Sequence, residues 1–502
     1  MTRTFTPLGV VIRQGLKSTV VQYVGIVVGA VANLFLYTQV QAEYGLVQVL
    51  LGVANLIAPF AMLGSYSLAV RFYPRFTEPS AGRQGFLTLL LAVTAVGIGV
   101  YLLTAPLLDG WLSGRCLDRA SAEYCLNVRY VPALVVCLAL LRLLYQYTSN
   151  FRRIVVPTLL EQFSLKITLP AALLAYLFGY LSVEAVVLAV VANYAVALVG
   201  MFAYLAYLGE LHLGLPSPRV LAAWRPMAGF AGYGIASMLG TVLAFRVDVV
   251  MVGGNLGLAE AGQYTIALFI AETIAKPYTN VRAALAPEVS AAWAAGDFAT
   301  LGDLYRRSSS NLLLIAGYLF AGILVCYPAL AALAVEGEVI AGGFLAFVFL
   351  GLGRVVDSAT SINEYVISFS PRYRFNLVAI LVLAAVNVAL NLYLIPRFGI
   401  AGAALATLTS VTVYNAAKVL FAGLAFGLWP FGKTTLSVLA GLSVATLLTL
   451  AIPELDRWYL TMIVRGGALT LLVYAYVALA KPSAEAEQLR VGLLTKLRAR
   501  TR

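Results

Sequence analysis

The chain has 502 residues, 61% of them hydrophobic and only 11% charged, with a net charge of +12. Soluble domains carry about 25% charged residues, so this composition all but excludes a water-soluble fold. Four cysteines are too few for a disulfide scaffold, and a single histidine, His212, argues against a His-based metal or acid–base site.

A helix needs about 20 apolar residues to cross a bilayer core. In chain order the sequence predicts fourteen spans: 18–40, 45–70, 86–107, 130–149, 157–180, 183–207, 226–252, 258–280, 309–330, 339–362, 375–394, 399–424, 435–452 and 459–480. The expected class is therefore an all-α polytopic membrane protein. The first run follows Arg3, Arg13 and Lys17 and is uncharged from Ser18 to Ala42. It is too long for a signal-peptide core and lacks a small-residue cleavage site, so it reads as a retained span. With both termini on one side, only five of the 34 Lys and Arg face the other: Arg115, Arg119, Arg129, Arg397 and Arg457. That bias makes both termini cytoplasmic. The tail "EQLRVGLLTKLRARTR" reads as a basic amphipathic helix on anionic membrane lipids, in preference to a nucleic-acid-binding segment.

A duplication shows within the chain. "YGLVQVLLG" places Gly45 at the head of span 2 as "AGQYTIALF" places Gly262 at the head of span 8, an offset of 217. "SVEAVVLA" from Ser182 and "GIAGAALA" from Gly399 share that offset, and Pro59 and Pro277 follow the two glycines. Six spans per repeat give parallel repeats, related by an axis along the membrane normal, around a central cavity. The expected organisation is an N-lobe at 1–210, a C-lobe at 211–425, two further spans within 426–480 and a basic tail at 481–502.

Loop content restricts the chemistry. Apart from 108–129 the outward loops are short, and no G-x-x-x-x-G-K-[ST] cradle occurs in the cytoplasmic ones. No nucleophile–base constellation is evident. The sequence therefore predicts no catalytic residues, no cofactor and no metal, and leaves a transport protein.

Charges inside spans then become the candidate site, because each is expensive in a bilayer. Lys166 lies about 14 Å into span 5, with Glu161 off its face. Arg246 is about 9 Å from the outer end of span 7, and Asp248, two residues on, diverges from it by roughly 200°. Glu272 and Lys276 are spaced i, i+4 for an intrahelical pair, or for a gate or ion-coupling role. Arg354 and Asp357 are i, i+3, with Arg354 deep enough to line a cavity. Arg142, Lys418 and Arg465 lie near span ends and are expected to snorkel. In the long outward loop, Cys116 and Cys125 are expected to form a disulfide, while Cys137 and Cys326 stay reduced within spans. Residues 281–307, with apolar Val289, Trp293, Phe298, Leu301 and Leu304, predict a short surface helix on the cytoplasmic side.

These residues carry a resemblance. "AFRVDVVMVGG", then "AGQY", "APEVS" and "GDFATLGDLYRRS", resemble spans 7 and 8 and the following loop of the polysaccharide transporter family; "NLYLIPRFGIAGAALATL" resembles its span 11–12 turn. Those proteins are oligosaccharide-lipid flippases of the multidrug/oligosaccharidyl-lipid/polysaccharide exporter (MOP) superfamily. The resemblance covers most of the chain but its motifs are degenerate, specifying family better than substrate. It implies carriage of a polyprenyl-pyrophosphate-linked glycan to the outer leaflet of a bacterial inner membrane, by alternating access. Lys166, Arg246 and Arg354 would then serve as a cationic ladder, tuned by Asp248 and Asp357, with glycosyltransferases or a polymerase of the same pathway as associates. The alternative is a Na⁺- or H⁺-coupled drug exporter of the multidrug and toxin extrusion (MATE) type, in which Asp248, Glu272 and Asp357 carry the ion. A major-facilitator transporter and a membrane-bound polymerase or ligase are weaker readings.

Overall fold

In hydrocarbon every backbone N–H and C=O must be satisfied within the protein, which leaves helices for uniformly apolar runs such as these. The computed structural model describes residues 23–76, 85–113, 122–151, 153 and 155–480, and among these there are helices and no strands. The basic tail lies outside the described residues.

The first span appears as α1 (Tyr23–Phe35). The second is α2 (Gln41–Ala61), continued by α3 (Ser65–Arg71), and the third is α4 (Phe86–Ser113). The fourth joins α5 (Ala122–Asn127) to α6 (Val131–Ser149) through a 3₁₀ turn. A π-turn at Leu159–Phe163 divides the fifth into α7 (Val155–Thr158) and α8 (Ser164–Leu177). After α9 (Val183–Tyr207), the short α10 (Pro218–Ala222) leads into α11 (Trp224–Asn255), then α12 (Leu258–Ala295) and α13 (Phe298–Leu333). The tenth span is α14 (Gly337–Gly342), α15 (Phe344–Thr360) and α16 (Asn363–Ser368) in succession. Spans eleven and twelve run together as α17 (Arg374–Phe426), broken at Gly399, whose φ of 57° and ψ of −139° are not helical. The last two are α18 (Lys433–Leu450) and α19 (Trp458–Ala480). Nine helices among the described residues are individually long and apolar enough to cross a membrane. The fold is that of an all-α polytopic membrane protein.

Two compact units emerge, residues 1–262 and 263–502, parted inside α12. In the first, α11 packs on α2 and α3. Compactness and sequence duplication thus divide the chain at different places, and lobes at 1–210 and 211–425 stay a proposal drawn from the repeat.

The first unit nevertheless carries a contact that the duplication explains. A Cβ on Gly45 would lie 1.8 Å from the Leu258 carbonyl oxygen, and one on Gly262 would lie 2.0 Å from that of Gln41. Gln41 and Leu258 are themselves separated by the 217-residue offset. Each repeat-equivalent glycine therefore meets the partner of the other, as an isologous two-fold contact requires. Small residues permit this close backbone approach, which is how membrane helices gain packing energy without a hydrophobic drive.

In the second unit the expected surface helix is corrected. Residues 281–307 belong to two long helices, α12 and α13, that meet at Gly296, held at φ 67°, with Asp297 capping the Thr300 amide. Val289, Leu301 and Tyr305 pack with Ile362, Val366 and Ala422, and Trp293 and Leu304 pack against that cluster. Their apolar side is buried within the unit, and that burial carries both helices through a segment holding Asp297, Asp303, Arg306 and Arg307.

Candidate functional site

Within the first unit, the two charges of α11 part company. Arg246 is exposed, whereas Asp248 is only 4% exposed and makes its interactions in the interior. Two residues of helix turn side chains by roughly 200°, so one points out as the other points in. Among the described residues no carboxylate pairs with Arg246.

Arg142 on α6 does not snorkel. Its guanidinium donates to Asn55 Oδ1 on α2, with Glu161 the favourable charge acting on it and Arg246 an unfavourable one. Glu161 stands in the π-turn, where the extra residue per turn changes the helical register, a feature frequent at functional sites. Lys166, one turn into α8, puts its ammonium beside α1: a Cβ on Gly25 would fall 2.9 Å from Nζ. At the other end of these helices, Tyr176 donates to Glu43 at 2.7 Å, while Arg129 and Tyr130 both donate to Glu184 Oε1, at 2.7 and 2.5 Å. Arg129 and Glu184 are half exposed or more, so their pair contributes little to stability.

In the second unit the span charges of α12 and α15 pair across helices, not along them as their spacing suggests. Arg354 Nη2 lies 3.9 Å from Glu272 Oε1, joining α15 to α12. Asp357 accepts hydrogen bonds from the Tyr278 hydroxyl and from Asn415 Nδ2, the latter at 3.3 Å. The Asn415 oxygen in turn accepts from Thr360 (2.8 Å) and Asn363 (2.9 Å). Arg282 bonds Glu364 at 3.0 Å and stacks on Tyr278 and Tyr365. Lys276 stands one turn from Glu272 without joining these bonds.

The expectation of snorkelling is corrected at Lys418, whereas Arg465 reaches toward the loop between α18 and α19. Lys418 is 1% exposed, its Nζ donating to the Tyr414 hydroxyl at 3.0 Å and lying 4.4 Å from that ring's centroid. Arg465 is 6% exposed; it donates to the Ile452 carbonyl at 2.8 and 3.1 Å and to that of Val325 at 3.2 Å. Arg465 Nη1 also lies 3.5 Å from the exposed Glu454 in that loop, whereas Lys418 finds its partner within the fold.

Cys125 is disulfide-bonded, and Cys137 and Cys326 are free thiols. Cys116, the expected partner, lies outside the described residues. Among the described residues no group of three or more His, Cys, Asp or Glu is placed to hold a metal ion.

Sequence reasoning passed over Glu161 as a partner for Arg142, and Arg282 and Glu364 altogether. The signal for the first pair was present, an acid and a base each within an apolar run. Arg282 and Glu364 fall just beyond the predicted ends of spans 8 and 10, where charges look like ordinary solvated ends.

No family model matches the chain, and no curated protein matches it either. Solved structures do. The lipid II flippase MurJ in an inward closed conformation is similar over 93% of this chain and 99% of its own, with a TM-score of 0.69 at 11% identity. An inward-facing multidrug resistance MATE family transporter of the MOP superfamily covers 80% and 94%, with a TM-score of 0.63 at 14% identity. A MOP superfamily transporter from Pyrococcus furiosus covers 84% and 96%, with a TM-score of 0.55, also at 14% identity. These neighbours are transporters, and at such identities what they share with this chain is the fold.

Proposed function

We propose that this protein is a flippase. Its passenger is a polyprenyl-pyrophosphate-linked oligosaccharide, a precursor of lipopolysaccharide O-antigen or of an exopolysaccharide. It moves that lipid from the cytoplasmic to the outer leaflet of a bacterial inner membrane by alternating access, with both its own termini cytoplasmic. Glycosyltransferases and a polymerase of the same pathway are its proposed associates.

The observation that carries this reading is the separation of Arg246 from Asp248 on α11, an exposed cation inside an apolar span with no carboxylate partner among the described residues. Such a charge is retained where it has work with an anion. A pyrophosphate headgroup is anionic and hydrated, and guanidinium binds its oxygens through two parallel hydrogen bonds. Lys166 would add a point charge in the same unit, and Arg354, tuned by Asp357, a second fork in the other. Likeness to a lipid II flippase over nearly the whole chain supports a lipid-linked passenger.

A MATE-type exporter is the second reading, favoured by the MATE neighbours. There Asp248, Glu272 and Asp357 would carry Na⁺ or H⁺, with Lys276 beside them. Purified protein in vesicles decides between the two. The flippase reading expects translocation of a polyprenyl-linked sugar and none of a cationic drug driven by an ion gradient; the reverse result replaces it.

A further inference from the structure

The break between α2 and α3 is unusual. Leu63 has a φ of 46° and Gly64 one of 78°. A non-glycine residue in the left-handed region is uncommon, and an outlier of this kind points to a purpose. The break brings α3 against α11 at backbone distance: a Cβ on Gly64 would lie 2.6 Å from the Ala231 carbonyl oxygen, and one on Gly234 would lie 2.5 Å from Ser67 Oγ.

What the break delivers is Arg71. Its guanidinium carbon lies 4.4 Å from the centroid of Phe230, near the start of α11. One turn later Arg75 lies 4.9 Å from the centroid of Phe72, which is itself 2% exposed and edge-on to Phe230 at 6.2 Å. Both arginines are exposed, and among the described residues neither has a carboxylate partner. An aromatic ring against one face fixes a guanidinium while leaving its edge donors free. Arginines that merely marked the cytoplasmic side would need neither the rings nor the strained turn.

We propose that Arg71 and Arg75 form a docking site for the diphosphate of a membrane-anchored lipid, which captures the passenger at the cytoplasmic mouth before it reaches Arg246. This rests on the flippase reading for its orientation and its ligand class. Two oriented forks, four residues apart, suit two linked phosphates, each able to accept a bidentate pair. The lipid is favoured over a soluble phosphate because α3 continues a span, so Arg71 at its end and Arg75 in the 3₁₀ turn Tyr73–Phe76 that follows would sit at headgroup level.

The test uses the full chain in nanodiscs of neutral phosphatidylcholine, with polyprenyl pyrophosphate as the probe and inorganic pyrophosphate as competitor. Arg71→Ala with Arg75→Ala should weaken binding about tenfold or more, and Phe230→Leu, which keeps the burial but removes the ring, about threefold. The paired Arg→Lys variants keep both charges and guard against a folding defect; they should bind more weakly than wild type for want of the fork. Wild-type affinity in the double alanine variant, or in both Phe230→Leu and the lysine pair, would overturn the site. Inorganic pyrophosphate competing as well as the lipid would overturn the lipid as its ligand. Arginine-dependent binding without translocation in vesicles would instead leave the site standing and refute the flippase.

Discussion

The two units treat their buried charges differently. In the second, Arg354 meets Glu272, Arg282 meets Glu364, and Asp357 is held by Tyr278 and Asn415. Each bond ties one helix to another, so the charges act as a scaffold. In the first, Arg142 bonds a neutral amide with the Glu161 charge acting on it, and Arg246 is exposed beside a buried Asp248. Among the described residues Arg246 is a cation with no carboxylate partner. An internally paired charge needs no outside partner, whereas an exposed one stays open to water or to an arriving anion, so on the flippase reading Arg246 is where a passenger should be felt.

This contrast can be broken by substitution. The largest loss of stability should follow Asn415→Leu in the second unit, which strips a donor from Asp357 and an acceptor from Thr360 and Asn363. Unsatisfied buried groups cost about 1–3 kcal/mol each, so denaturation should show a loss of about 3 kcal/mol. A loss below about 1 kcal/mol would mean the network is not a scaffold.

Lys418→Met comes next, with about 2 kcal/mol lost, since it removes a positive charge acting on Asp357 and Glu364. Adding Asp357→Asn should restore most of it, and a strictly additive double variant would show that Lys418 does not balance that carboxylate. In the first unit, Asn55→Leu removes the partner of Arg142 and should cost about 1.5 kcal/mol. Here the sharper readout is transport, which should fall even where the protein remains folded.

The smallest effect concerns Asp297, outside the spans. The Thr300 hydroxyl and then its amide, by hydrogen bonding, hold the Asp297 carboxyl below its usual range. A carboxyl depressed in the folded state contributes fully above its unfolded value, about 3.9, and loses that contribution as pH falls through the folded one. Amide exchange in the first turn of α13 should therefore be flat above about pH 5 and quicken only below about pH 4, relative to its intrinsic rate. Asp297→Ala should show the quickened exchange at every pH.

Span positions were legible because bilayer thickness fixes the length of an apolar run: 183–207 and 459–480 match α9 and α19 to within a residue. The offset shared by Gly45 and Gly262 was legible too, since close packing there tolerates only glycine. Partners were not. Along an all-apolar helix no polar face marks rotation, so nothing in the spacing says that Arg354 turns to Glu272 and not to Asp357. Snorkelling was expected of Lys418 from its depth alone, but the Tyr414 hydroxyl reached it first. The kink at Leu63 has Pro59 one turn before it and Gly64 directly after it, signals that an uninterrupted reading of span 2 passed over.

The central claim is that the surplus charge on α11 serves the passenger. Glycan export at matched membrane levels tests it through three variants: Arg246→Ala, Arg246→Lys, and Arg246→Ala with Asp248→Ala. The account predicts that the alanine variant inserts and folds normally yet loses export about a hundredfold, about 3 kcal/mol of binding at 1.4 kcal/mol per tenfold. The lysine variant should retain part of the activity, and the double variant should be as inactive as the single. Rescue by the double change would show that Arg246 only balances Asp248, and wild-type export by Arg246→Ala would contradict the account outright.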